Sequence, residues 1–290
     1  MSYKDLLAQK LSELPKQIEI LCNAYQLIAD AQEREKKTID LEKYQKRMED
    51  GIAFLLSIDD AGVLASIERI RQPSPTLLYE NKNRYLAALR DYRDTHNIVV
   101  GTTQIEDYIQ VLKQVALIHT TKEPKLLKKR GLWPSKALWL TENKSCANAM
   151  DIALGLDGCV FFTHGFNLAD FGESQITVAN HLLDNDDVVV TSLDLFTFVL
   201  IKTGRTAPTA IPTHEWIVAL SDYVQHMFAG KDFWQLKAEY ILTFFASVDQ
   251  FNTFAQKNFY SNQVSKAPEG EYPFLGEIKV FRSILATEIH

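Results

Sequence analysis

Leu7, Leu11, Leu14, Ile18, Leu21, Tyr25 and Ile28 recur at alternating steps of four and three residues, and this period is the strongest constraint in the chain. Such steps return a side chain to one side of an α-helix, so these residues form an apolar face that a partner helix must cover. Pro15 falls inside the run and has no N–H to donate, so a break is expected there, with Pro15 opening a second segment. The period predicts further helices over Leu41–Ile58 and Gly62–Ile70, the latter stopped by Pro73-Ser74-Pro75. Leu78, Tyr85, Leu89 and Tyr92 mark a fourth helix. Thr103-Gln104-Ile105-Glu106 reads as a capping box opening a fifth, lined by Ile105, Tyr108, Ile109, Leu112 and Ala116. Residues 1–130 are therefore expected to be an all-helical bundle, its stripes serving as core and not as a cofactor site.

Lys122 to Arg130 is a basic run, read as a solvated linker; its functional alternative is a contact for an acidic partner or a phosphate. Beyond it the pattern changes. Ala137–Thr141, Cys159–Thr163, Ser174–Val178, Val188–Leu193 and Gly276–Phe281 read as strands. Ser145 can cap a helix that runs to Leu154 and ends at Gly155. Helices are expected over Thr213–Phe228, Asp232–Phe245 and Asp249–Phe259. Residues 131–290 thus form the mixed part of an α+β chain. No glycine-rich phosphate loop follows a strand, so nucleotide-binding folds of that kind are disfavoured.

The net charge of −6 argues against non-specific binding to nucleic acid. No apolar run approaches the roughly 18 residues of a membrane span. The first residues show no cleavable signal peptide, so the expected location is cytoplasmic or, after secretion, inside a host cell. Cys22, Cys146 and Cys159 are too few and too scattered for a disulfide framework, and no metal-ligand spacing occurs.

Two residues stand out as chemistry-bearing. Glu277 sits in an otherwise apolar strand, and alternation puts it on one face with Lys279. The plain alternative is an edge strand with a wet polar face. His164 follows a strand and precedes Gly165, where it could donate a hydrogen bond to a ligand or carry a proton. Its plain alternative is a surface or hydrogen-bonded histidine. Asp170 and Glu173 read as loop carboxylates, His96, His119 and His181 have no partner pattern, and no catalytic triad can be singled out.

ALWLTENKSCANAMDIALGL (137–156), DGCVFF (157–162), FGESQITV (171–178), HMFAGKDF (226–233) and YPFLGEIKV (272–280) together resemble the ADP-ribosyltransferase fold of secreted bacterial effectors. The resemblance covers about the last half of the chain. It implies a split β-sheet domain that binds NAD, as co-substrate, in a cleft between two small sheets. Glu277 matches the catalytic glutamate of the closing strand, which stabilises the oxocarbenium-like transition state as nicotinamide leaves. Phe162 and Phe171 are candidates to stack on nicotinamide, and Thr163 and His164 match the polar second-strand slot. Trp139 and Thr141 fall on the expected first strand.

Two departures from the family pattern bear on the activity. The expected first-strand slot, Leu138-Trp139-Leu140-Thr141, carries neither the arginine nor the histidine that grips NAD in the common classes. Leu275 stands two residues before Glu277, where arginine- and Rho-modifying enzymes have Glu or Gln. Both fit a divergent branch similar to the ADP-riboxanases, with Trp139, His164 and Glu277 as the trio. They also fit a degenerate transferase fold that serves as a non-catalytic interaction module. On the first reading the chain modifies a protein target that the N-terminal helices recognise.

Overall fold

The computed structural model describes residues 3–57, 61–122, 124–135, 154, 156–168, 172, 174–205, 211–259 and 273–290. Two compact units divide the chain, one of residues 1–72 and 133–160, the other of residues 73–132 and 161–290. The expected strand at Ala137–Thr141 and the Ser145 cap lie outside the described residues, as do Trp139, Thr141, Asp170, Phe171 and Glu173.

The first unit holds α1 (Tyr3–Tyr25), α2 (Ala31–Ser57) and α3 (Ala61–Arg71). Tyr25 and Leu41 are buried at the α1–α2 contact, with Ile18, Leu21, Cys22, Ile28 and Tyr44 packed around them. This is the expected apolar face with its cover. The expected break at Pro15 does not occur, because α1 runs through it. Pro15 lies on the exposed side. The carbonyl it leaves without a donor can therefore turn to water while Leu7 and Leu14 stay buried.

The second unit is built on a six-stranded sheet of β1 (Leu117–Thr121), β2 (Val160–His164), β3 (Ser174–Val178), β4 (Val188–Thr191), β5 (Met227–Ala229) and β6 (Glu277–Val280). The strand order is β3-β1-β2-β6-β4-β5. β1 pairs antiparallel with β2 and β3, and β4 pairs antiparallel with β5 and β6. Its helices are α4 (Pro75–His96), α5 (Thr102–Leu112), α6 (Pro124–Arg130), α7 (Leu195–Thr203), α8 (Thr213–Tyr223), α9 (Phe233–Phe244) and α10 (Val248–Asn258).

Several expectations change here. Ser74 caps α4 and Pro75 fills its first turn, so the Pro-Ser-Pro stop also starts the next helix. The capping box at Thr103 does not form: α5 starts at Thr102 behind Gly101, whose carbonyl accepts from Ile105 N–H, so Thr103 already sits inside the first turn. Ala116 falls outside α5, and β1 follows at once. The basic run is a helix, α6, and not a linker; Leu127 is buried and α6 packs on β3. The helix expected to reach Phe228 ends at Tyr223, because Met227 and Phe228 take ladder hydrogen bonds with β4 instead.

Candidate functional site

β6 lies inside the sheet between β2 and β4, so it is not an edge strand and its polar face is not wet. Glu277 and Lys279 are both buried. Local geometry aims them. Gly276 has a φ of +74°, and a Cβ there would stand 2.8 Å from the Phe233 ring, so only glycine lets the chain enter β6 at this angle. The N–H groups of Leu275 and Gly276 donate to the Ser192 carbonyl, pinning this entry to the end of β4. Thr191 then pairs with Glu277, and Val189 with Lys279.

The Lys279 ammonium donates to Glu277 Oε2, to Thr191 Oγ1 at 2.8 Å and to the Tyr223 hydroxyl at 3.1 Å. Its three protons thus have three acceptors. Burial disfavours the charge on Lys279, but Glu277 and Tyr223 outweigh it and hold the ammonium above its usual range. Burial also raises the Tyr223 phenol to about 12. The Phe161 ring centroid lies 5.7 Å from Lys279 Nζ. Glu277 is held through one oxygen only: Oε1 has no partner among the described residues, and its side chain keeps 8% of its exposure.

A second carboxyl stands near. Asp194 caps α7, its Oδ1 accepting from the N–H groups of Phe196 and Thr197 at 3.0 and 3.1 Å. Its Oδ2 has no partner among the described residues. Burial first, and the neighbouring Glu277 second, push this carboxyl up to about 7.

His164 belongs to a different network. Its Nε2 lies 3.0 and 3.1 Å from the carbonyls of Leu112 and Val115, and its Nδ1 lies 2.6 Å from Lys237 Nζ. Carbonyls only accept, so Nε2 carries the proton and Nδ1 receives the Lys237 hydrogen bond. Lys237 donates as well to the His164 carbonyl and packs between the Phe233 and Phe251 rings. Burial drives both groups well below their ordinary values, and Lys237 adds to the effect on His164. Strand alternation explains the separation. Phe161 faces Lys279, so Phe162 and His164 point to the opposite side of β2, where α9 supplies Phe233, Trp234 and Lys237. The structure therefore does not bring His164 to Glu277.

Phe162 is buried on the His164 side, its ring 5.9 Å from that of His119. Thr163 is buried, and its hydroxyl donates to the Phe166 carbonyl at 2.6 Å. No family model matches this chain, and neither does a curated protein or a solved structure.

Sequence reasoning missed Thr191, Asp194 and Tyr223 around Glu277, and His119 on the His164 side of the sheet. His119 lies on β1, the first strand of the sheet in chain order, and its Nδ1 sits 2.9 Å from the Phe161 carbonyl. By the same logic Nδ1 carries the proton and Nε2 remains an acceptor; burial lowers the ring's basicity and keeps it neutral. The run Leu117-Ile118-His119-Thr120-Thr121, rich in β-branched residues, was the signal for this strand.

Proposed function

We propose that this chain is an ADP-ribosyltransferase-like enzyme that uses NAD as co-substrate and Glu277 as its transition-state carboxylate. The observation that carries the reading is the half-engaged state of Glu277. Lys279 fixes one carboxylate oxygen, and the other has no partner among the described residues. A carboxylate oriented through one oxygen is preorganised to accept a ribose hydroxyl through the other, so no reorganisation is needed as positive charge grows on the sugar. In the proposed step the bond from ribose C1′ to nicotinamide breaks, nicotinamide leaves with the electron pair, and a nucleophile on the target protein bonds to C1′ and gives up its proton.

A first-strand histidine is the family feature that the 138–141 segment lacks, and β1 carries His119, but the register puts His119 opposite Phe162, on the His164 side of the sheet. The proposal therefore gives neither His119 nor His164 the role of holding NAD. Phe161, on the Glu277 side of β2, becomes the aromatic candidate beside Thr163. Trp139, Thr141 and Phe171 stay in the proposal on the resemblance alone.

Incubation of the purified chain with NAD labelled in its adenosine part and a cell lysate tests this. Wild type should transfer label to protein; Glu277→Ala should not. Absence of transfer by wild type in lysates from several hosts, together with no consumption of NAD, would remove the enzymatic reading.

A second reading is favoured by one observation. Lys279 is saturated by Glu277, Thr191 and Tyr223, which is also how a purely structural ion pair looks. On that reading the chain is a non-catalytic interaction module with a degenerate transferase fold. A partner pulled down equally by wild type and by a Glu277→Ala, His164→Ala double variant, with NAD left intact, would favour it.

A further inference from the structure

The second unit contains a cavity of about 700 Å³ between α4, α5 and α9, away from Glu277. Its floor is an ion pair that is almost completely buried: Arg93 donates to Glu239 Oε2, and Gln235 donates to Glu239 Oε1 at 3.3 Å. This floor is neutral and fixes the spacing of α4 and α9.

One wall is aliphatic. Ile98, Val99 and Val100 form the α4–α5 connection, and Ile105 and Ile109 face them from α5. The connection is held at both ends. Asn97 adopts the left-handed conformation at φ 56°, and the N–H of Ile98 donates back to the Arg93 carbonyl, closing α4. At the other end the Gly101 carbonyl opens α5. The three aliphatic residues are therefore presented on a pinned loop. Val99 stands 91% exposed at the cavity mouth.

The rim is acidic. Arg90 is opposed by Asp94 and Glu106, all exposed, and Asp91 lies one turn before Asp94 on the same side of α4. No ion pair joins Asp94 or Glu106 to another side chain among the described residues.

We propose that this cavity is a docking groove for a short segment of a partner protein that carries aliphatic side chains next to lysine or arginine. The aliphatic wall would take the apolar side chains and the rim carboxylates the cation. A cavity of this volume also suits a small molecule, since such sites span roughly 300–1,000 Å³. The position of Val99 argues for a chain segment. A small ligand enclosed in the cavity would leave Val99 in water, whereas a chain that continues past the mouth would cover it. The groove and the Glu277 network share no residue, so the proposal stands or falls apart from the transferase reading.

The test is fluorescence anisotropy of the full chain with three labelled peptides: alternating leucine and lysine, alternating leucine and glutamate, and alternating serine and lysine. The leucine–lysine peptide should bind best. An Asp94→Lys, Glu106→Lys double variant should weaken it about tenfold and improve binding of the leucine–glutamate peptide, as expected for charges across an interface. Val99→Asp should also weaken it, while Glu277→Gln should not. Asp94, Val99 and Glu106 are exposed and Glu277 is buried, and circular dichroism confirms that each variant is folded. Equal binding of all three peptides, undiminished binding by the charge-reversed variant, or no binding of the leucine–lysine peptide would overturn the proposal.

Discussion

The two sides of the sheet each bury a lysine, and the two lysines are treated in opposite ways. Lys279, on the α8 side, meets a carboxylate, a threonine hydroxyl and a phenol, and its ammonium is held above the usual range. Lys237, on the α9 side, meets an imidazole nitrogen, a carbonyl and two phenylalanine rings, and burial drives it well below its usual range. Depth is the same, since both are essentially inaccessible. The difference is the counter-charge. One face keeps a pair of charges at the centre of the sheet, and the other keeps a hydrogen-bonded relay whose lysine holds its proton less tightly than usual. The relay ties β2, α5 and α9 together.

Breaking the charged pair should give the largest effect on stability. Glu277→Ala leaves the Lys279 ammonium buried without its carboxylate, and should cost about 3–5 kcal/mol in urea unfolding. A double variant with leucine at 277 and methionine at 279 should recover much of that loss, since it removes both charges. Failure of the double variant to recover would mean that the pair does more than cancel its own burial.

The His164–Lys237 relay should yield a smaller number. Lys237→Met leaves His164 Nδ1 and its carbonyl without a donor, at about 1–3 kcal/mol. The pH dependence sharpens the contrast. Below the ordinary imidazole value of about 6.5 the unfolded chain binds a proton that folded His164 refuses, so stability falls as pH drops through that value. Between the lowered value of Lys237 and the ordinary lysine value near 10.4, the unfolded chain again holds the extra proton, so stability climbs with pH. Lys237→Met should flatten the alkaline climb. A climb unchanged in the variant would contradict the lowered basicity of Lys237.

Asp194 should produce the smallest shift, with the opposite sign. Its carboxyl is raised to about 7 when folded, so between the ordinary aspartate range and about pH 7 the folded chain holds the extra proton. Stability from this group therefore declines as pH rises over that window. Asp194→Asn keeps a capping oxygen for α7 and removes the ionisation, and should stabilise the chain by on the order of 1 kcal/mol above pH 7.

The sequence carried the α+β class and most strand positions, because Phe161-Phe162-Thr163, Val188-Val189-Val190 and Ile278-Lys279-Val280 are short β-rich runs beside turns; it did not carry the division at residue 130, since β1 lies within the part expected to be all helical. The amphipathic helices were legible for the same reason that α1 and α2 pack: one apolar side each. α7 was not, because Leu195–Thr203 is apolar on nearly all sides and shows no period. Its ends were signalled all the same, by Asp194 as cap and Gly204 in the left-handed conformation. β5 was hidden because Met227–Ala229 follow α8 after only a short turn at Val224–His226 and look like its last turn. Glu277 could be picked out of its strand by contrast with its neighbours. The rest of its network could not, since Thr191 and Tyr223 lie 86 and 54 residues away in sequence and meet it only through strand order and helix packing. His164 misled for the opposite reason: its place at a strand end was right, but the parity of β2 sends it to the other face.

The most direct test is the rate of nicotinamide release from NAD by wild type and by Glu277→Gln, which keeps the shape of the side chain and removes its charge. Loss of one preorganised electrostatic group should lower that rate by about a hundredfold or more while far-ultraviolet circular dichroism stays the same. Equal rates from the two folded proteins, or no nicotinamide released by wild type, would contradict a catalytic Glu277.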